Sequence, residues 1–138
     1  MIVVIDTNVI ISALIKDSLT RKVIIESGLN FVYPEISLHE LRKHKKTIID
    51  KSGLPGKDIE NLLNKLLEYV VLIPTEAVKS HLDEARIIMH EIDPKDVVFI
   101  AAALAFRSSV IWSDDKDFER QKKVRIVKTR DIARLFVK

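Results

Sequence analysis

The 138-residue chain contains no cysteine, only three glycines and four prolines, and no long hydrophobic run. Without cysteine there is no disulfide scaffold, thiolate zinc site or cysteine nucleophile, and the chain suits a reducing compartment, expected to be the cytoplasm. The scarcity of Gly and Pro, beside 47% hydrophobic and 31% charged residues, excludes a disordered or collagen-like chain. The longest apolar stretch, Val97 to Phe106, has ten residues, against the roughly 20 a membrane-spanning helix needs, so no membrane segment is expected. Met1 to Ile5 is apolar but has no basic residues before it and meets Asp6 at once, so it does not read as a secretory signal.

What is present is core-forming sequence for one domain, expected to span residues 1–138 and to fold without covalent or metal staples. The net charge of +3 is too mild to announce a nucleic-acid partner, but it is unevenly spread. Lys122 to Lys138 carries seven basic residues and one acidic, so the preceding 121 residues hold a surplus of three acids.

Short β-branched or aromatic runs alternate with helical patterns. Ile2 to Ile5, Phe31 to Tyr33, Val70 to Ile73, Val110 to Trp112 and Arg125 to Val127 read as strands. Between them, helices are expected around Val9 to Leu14 and Lys22 to Glu26, and from about Ser37 to Asp50 with Ser37 and Glu40 in capping-box spacing. Others are expected over Asp58 to Tyr69, from a Thr75 cap to about Glu91, after Asp93-Pro94, and over Thr129 to Val137. Such alternation predicts an α/β fold with a mainly parallel sheet covered by helices.

In open parallel sheets ligands bind beyond the carboxyl ends of the strands, and acids fall at those positions. Asp6 follows the first strand, and Asp114, Asp115 and Asp117 follow the strand ending at Trp112. Glu40 and Asp96 lie in first turns of helices. Each also has a purely structural reading: Asp6 as a helix cap, Glu40 as half of a capping box, Asp96 as a complement to a helix dipole. The crowded Asp114-Asp115-Lys116-Asp117 segment is either a solvated turn or a cation site, because neighbouring carboxylates repel unless a positive charge offsets them.

The order of these elements decides between the readings: an apolar strand running into Asp6-Thr7-Asn8, a helix bearing Glu40, Asp96 opening an Ala-rich helix, then a strand followed by Ser113-Asp114-Asp115-Lys116-Asp117-Phe118. Over nearly its whole length the chain resembles the PIN-domain nucleases, and its size is similar to that of compact VapC-type toxins of toxin-antitoxin pairs. The resemblance implies a PIN-like three-layer α/β/α fold and a metal-dependent endoribonuclease using Mg²⁺ or Mn²⁺ on an RNA substrate. It places Asp6, Glu40, Asp96 and Asp115 as catalytic and metal-binding acids, Asp117 as a further metal-binding acid, and Asn8 and Ser113 as polar residues behind them. A small antitoxin protein and a homodimer are the further partners it suggests. The extra Asp114, and Ser113 where Thr is commoner, depart from the pattern and leave open which of Asp114, Asp115 and Asp117 ligates.

Residue chemistry points the same way. An all-carboxylate set selects a hard cation, and His39, His44, His81 and His90 lack the i, i+4 pairing of a helical zinc site. Arg42, Lys43, Lys45 and Lys46, just after Glu40, are candidate RNA-phosphate contacts, with the basic C-terminal segment as a second candidate track. Trp112 reads as a core residue rather than a base-stacking one. The rivals are weaker. A haloacid-dehalogenase-like phosphatase wants a second Asp where Asn8 stands, a receiver domain wants paired acids, and a non-catalytic binding module would have no use for the complete acid set.

Overall fold

The central strand β1, Ile2–Ile5, is apolar at every position and loses all contact with water beyond Ile2. Such a strand needs neighbours on both sides and cover on both faces. It pairs in parallel with β2 (Asn30–Pro34) on one side and β4 (Ser109–Trp112) on the other, placing Val4 beside Val32 and Ile111. β3 (Val70–Ile73) extends the sheet beyond β2, and β5 (Arg125–Val127) extends it beyond β4. The order is β3-β2-β1-β4-β5, all parallel, so the chain steps outward from β1 to β3 and then returns to the other side of β1. The structure is a computed structural model and describes residues 1–16, 19–89 and 93–136.

Helices cover the sheet. α1 (Thr7–Ile15), α2 (Leu19–Glu26), α4 (Lys45–Ser52) and α5 (Gly56–Leu67) pack among themselves, and α9 (Thr129–Phe136) joins them against α2. A second group, α6 (Thr75–Lys79), α7 (Leu82–Met89) and α8 (Pro94–Leu104), gathers around α8, which lies on β1, β2 and β4. α8 is almost wholly apolar because it is a buried layer: Val97, Phe99, Ile100 and Ala101–Ala103 are all sealed from water. Its Phe99 meets the rings of Tyr33 and Phe118, while Trp112 is completely buried against Phe31 and donates its indole N–H to Thr129 Oγ1 at 2.9 Å. No described helix is long and apolar enough to cross a membrane.

Strand positions and types agree with the sequence reading, whereas two expected helices are broken. In place of one helix from Ser37 to Asp50 there is a 3-10 turn (Glu35–Ser37), then α3 (Leu38–Lys43), then α4, with His44 between them. From Arg42 to Thr47 the segment has no apolar residue, so nothing holds a continuous stripe onto the core through the run of cations. The capping box does not form either. Ser37 is itself helical, its hydroxyl caps nothing, and its carbonyl accepts the Tyr33 hydroxyl at 2.9 Å. The helix expected from Thr75 divides at Ser80, whose hydroxyl bonds back to the carbonyls of Glu76 and Ala77. Pro74 takes the cap position there, not Thr75, and α5 begins at Gly56 rather than Asp58. Asp93 does cap α8 as expected, accepting Lys95 N–H at 2.9 Å with Pro94 following. His90 and the expected helix ends at Glu91 and Val137 lie outside the described residues.

Between β4 and β5 the chain is held by one buried side chain. The Gln121 amide donates to the carbonyls of Phe118 and Val124 and accepts the Val124 N–H, at 2.8–2.9 Å. Gln121→Ala leaves those buried backbone groups unpaired, and the expected loss is about 3 kcal/mol of unfolding free energy, read from the shift in denaturant midpoint. A loss under about 0.5 kcal/mol would show that water replaces the amide at this turn.

Candidate metal centre

The strand order reverses between β1 and β4, which makes the edge beyond their carboxyl ends the natural ligand site of this sheet. The ladder continues one residue past each strand, because Asp6 N–H donates to Trp112 O and Ser113 N–H to Val127 O, each at 3.1 Å. Asp6 and Ser113 therefore emerge side by side. The Asp6 carbonyl accepts from Val9 and Ile10 at the start of α1, but its carboxylate forms no cap bond. That carboxylate instead accepts the Ser113 hydroxyl at 2.7 Å in a buried setting. The Asp6 carbonyl thus opens α1, while its carboxylate serves Ser113 and is also eased by the nearby Thr7 and Asn8 amides.

Ser113 also organises the acidic turn beyond β4. Its Oγ accepts Asp115 N–H at 3.0 Å, and Asp115 Oδ1 in turn accepts Asp117 N–H at 2.9 Å, opening the 3-10 turn Lys116–Arg120. Across the seam stands Asp96 in the first turn of α8, buried, with Oδ2 lacking any hydrogen-bond partner. One oxygen from each of Asp96, Asp115 and Asp117 lies within 4.8 Å of the other two. Oxygens bound to a single hard cation at ~2.0–2.6 Å stand at most ~5 Å apart, so the trio fits such an ion without rearrangement. The orphaned Asp96 oxygen and the purely carboxylate donor set point the same way.

The family model of the PIN domain matches residues 4–134, from within β1 to within α9. The chain belongs to the PIN-domain family. Its fold is similar to that of a chain in the crystal structure of VapBC2 from Rickettsia felis bound to a DNA fragment from their promoter, with a TM-score of 0.71 at 15% identity over 93% of this chain and 98% of that one. No curated protein matches the chain in sequence.

The remaining candidate residues of this PIN domain take different places. Asp114 turns away from the trio to α9, where it accepts both the N–H and the hydroxyl of Thr129, at 2.9 and 2.6 Å. The extra acid of the turn is thereby a helix cap, and the repulsion expected among the three neighbouring carboxylates is partly relieved. Glu40 is half-buried on α3 and stands outside the trio. Between Glu40 and Asp6 lies Tyr33, which sequence reading missed. Its hydroxyl donates to Ser37 O and so accepts a hydrogen bond from the Thr7 hydroxyl, at 2.7 Å. Burial pushes the Tyr33 phenol up, the Thr7 hydrogen bond opposes this, and the charges of Glu40 and Asp6 add to it. Nothing in the sequence but the strand-end position of Tyr33 signals this link. Asn8 is exposed and lines a hollow of about 280 Å³ with Asp114, Asp115 and Thr129. Arg42, Lys43, Lys45 and Lys46 are all exposed, and Lys45 also meets Glu60 at 3.0 Å in an exposed ion pair.

Burial raises Asp6 to a pKa of about 6, with the nearby Asp115 charge adding to the rise and the Ser113 hydrogen bond opposing it. Burial also raises Asp96 to about 7, with Asp93, Asp115, Asp6 and Asp117 contributing in that order. Both values exceed the ordinary 3.8, so the folded protein binds these protons more tightly than the unfolded chain. The stability they contribute is complete below about pH 4 and is lost as pH rises through 6 and 7. The melting temperature of metal-free protein is therefore expected to fall between about pH 5 and pH 8, and millimolar Mg²⁺ or Mn²⁺ to restore it at pH 8. A metal-free melting temperature that rises across this interval would contradict the assignment.

Proposed function

We propose that the protein is a metal-dependent endoribonuclease that hydrolyses RNA phosphodiester bonds at the Asp96–Asp115–Asp117 cluster, with Mg²⁺ or Mn²⁺ as the cation. The observation that carries this reading is that Asp96, whose buried Oδ2 has no partner of its own, brings an oxygen within reach of two further carboxylates. A divalent cation bound there supplies Lewis acidity toward water and toward a phosphoryl oxygen. In the overall reaction water adds to phosphorus as one P–O bond breaks, leaving a hydroxyl on one product and a phosphomonoester on the other.

The chain's own residues do the positioning. Ser113 fixes Asp6 and the backbone of Asp115 with one hydroxyl, and the Asp117 amide fixes the Asp115 carboxylate. Asp6 adds negative charge beside the trio, and its pKa near 6 keeps it largely ionised at neutral pH. Glu40 keeps the catalytic and metal-binding role that the family resemblance gives it, and Asn8 lines the hollow beside Asp115 as a polar group for the substrate or for ordered water. Arg42, Lys43, Lys45 and Lys46 offer exposed cations for RNA phosphates, with the exposed Glu60 pair of Lys45 free to exchange for a phosphate. The fold shared with the VapBC2 chain, together with the VapC-type resemblance of the sequence, supports a toxin role with a small antitoxin protein as partner.

Cleavage of unstructured RNA is expected in Mg²⁺ or Mn²⁺ and not in EDTA. Asp6→Asn is expected to lower the rate by about 100-fold while raising the metal-free melting temperature at pH 8, because a buried negative charge is removed and the Ser113 hydroxyl still has an acceptor. Cleavage that persists in EDTA, or that survives Asp6→Asn, would sink this reading.

A further inference from the structure

Two adjoining hollows lie along α1, one lined by Asp115 of the metal cluster and the other by Lys16 at the helix's C-terminal end. Asn8 and Ser12 are four residues apart and so share one face of the helix, and Lys16 follows at its C-terminal end. Asn8 and Ser12 line the hollow of about 280 Å³ that reaches Asp115, and they also line a second hollow of about 340 Å³ that ends at Lys16 and Lys51. The two hollows adjoin at Asn8 and Ser12, and together they outline a channel beside α1. α4 packs against α1, which brings Lys51, in the last turn of α4, to the channel's far end. The wall also holds Ile11 and Ile15, both half-buried. Lys16 and Lys51 are exposed, and among the described residues neither is paired with a carboxylate.

The channel is thus acidic at the cluster, neutral and hydrogen-bonding in its middle, and cationic at its end. We propose that it carries the segment of single-stranded RNA on one side of the scissile bond, with Lys16 and Lys51 receiving its phosphates; this rests on the nuclease reading above. Exposed cations at the far end suit a polyanion, and the apolar wall suits the faces of sugars and unstacked bases. A cation-rich end also explains how a strand that must pass a cluster of carboxylates is held there. From Asn8 to Lys16 the helix advances about 12 Å, room for at most about four nucleotides at the ~3.4 Å stacked spacing. The recognised flank is therefore short.

The test uses the full chain and a fluorescein-labelled, unstructured RNA of roughly 12 nucleotides, with Kd measured against salt concentration in EDTA. Lys16→Ala/Lys51→Ala is expected to make the slope of log K on log salt shallower by about 1.4, at ~0.7 per lost single-strand contact. Between 50 and 200 mM salt the wild type then loses about sevenfold more affinity than the variant. A charge-matched Lys65→Ala/Lys79→Ala control, exposed elsewhere on α5 and α6, is expected to keep the wild-type slope. All four lysines are exposed, so matching melting temperatures are expected to show that the variants fold. Equal slopes in wild type and the Lys16/Lys51 variant, an equal drop in the control, or no binding by the wild type would each overturn the proposal. Metal-dependent cleavage of the same RNA reports separately on the nuclease reading: cleavage with equal slopes removes the channel alone, and an altered slope without cleavage removes the reaction alone.

Discussion

Carboxylates gathered at the seam between β1 and β4 repel one another, and the local structure is arranged around that repulsion. One hydroxyl, that of Ser113, joins the two strand ends by donating to Asp6 and accepting from the Asp115 amide. Asp115 is held again by the Asp117 amide, and Asp114 is drawn out of the crowd to cap α9 through Thr129. Thr129 also receives the indole N–H of the buried Trp112, so the cap is tied to the core of the sheet. The acid left with an unpartnered oxygen is Asp96, buried and with a pKa raised to about 7. Native proteins seldom leave a buried carboxylate oxygen unpartnered, and here the geometry supplies the reason: two more carboxylates within reach of one cation.

The apolar scaffold makes this arrangement tolerable. β1 is sealed on both faces, α8 is a buried slab of small and aromatic side chains, and the rings of Tyr33, Phe99 and Phe118 meet beneath the site. Acids from segments more than a hundred residues apart are thus fixed by elements that have their own reasons to be where they are. Tyr33 adds a lateral tie, linking Thr7 at the start of α1 to the Ser37 carbonyl just before α3.

Much of this was legible in the sequence because it depends on local chemistry. A β-branched run such as Ile2–Ile5 ending at Asp6, or Asp93-Pro94 before an Ala-rich stretch, specifies its element within a few residues. Strand alternation then sets the parallel topology that brings the strand-end acids to one edge. The breaks at His44 and Ser80 were not legible, since periodicity reports which face is apolar but not whether a helix stays straight through a cationic run or a back-bonding serine. The partner of Asp114 was hidden for a different reason. Thr129 lies fifteen residues away, and its hydrogen bonds exist only once β5 pairs with β4. Lys45 likewise looks free beside its basic neighbours until α5 brings Glu60 to it.

The central claim is that one hard cation belongs among Asp96, Asp115 and Asp117. Crystals of the protein equilibrated with Mn²⁺ test it directly by anomalous diffraction. The account predicts a peak ~2.0–2.6 Å from oxygens of all three carboxylates, with the Asp96 Oδ2 atom no longer unpartnered. A strong manganese peak elsewhere in the molecule, with none at this trio, would contradict it.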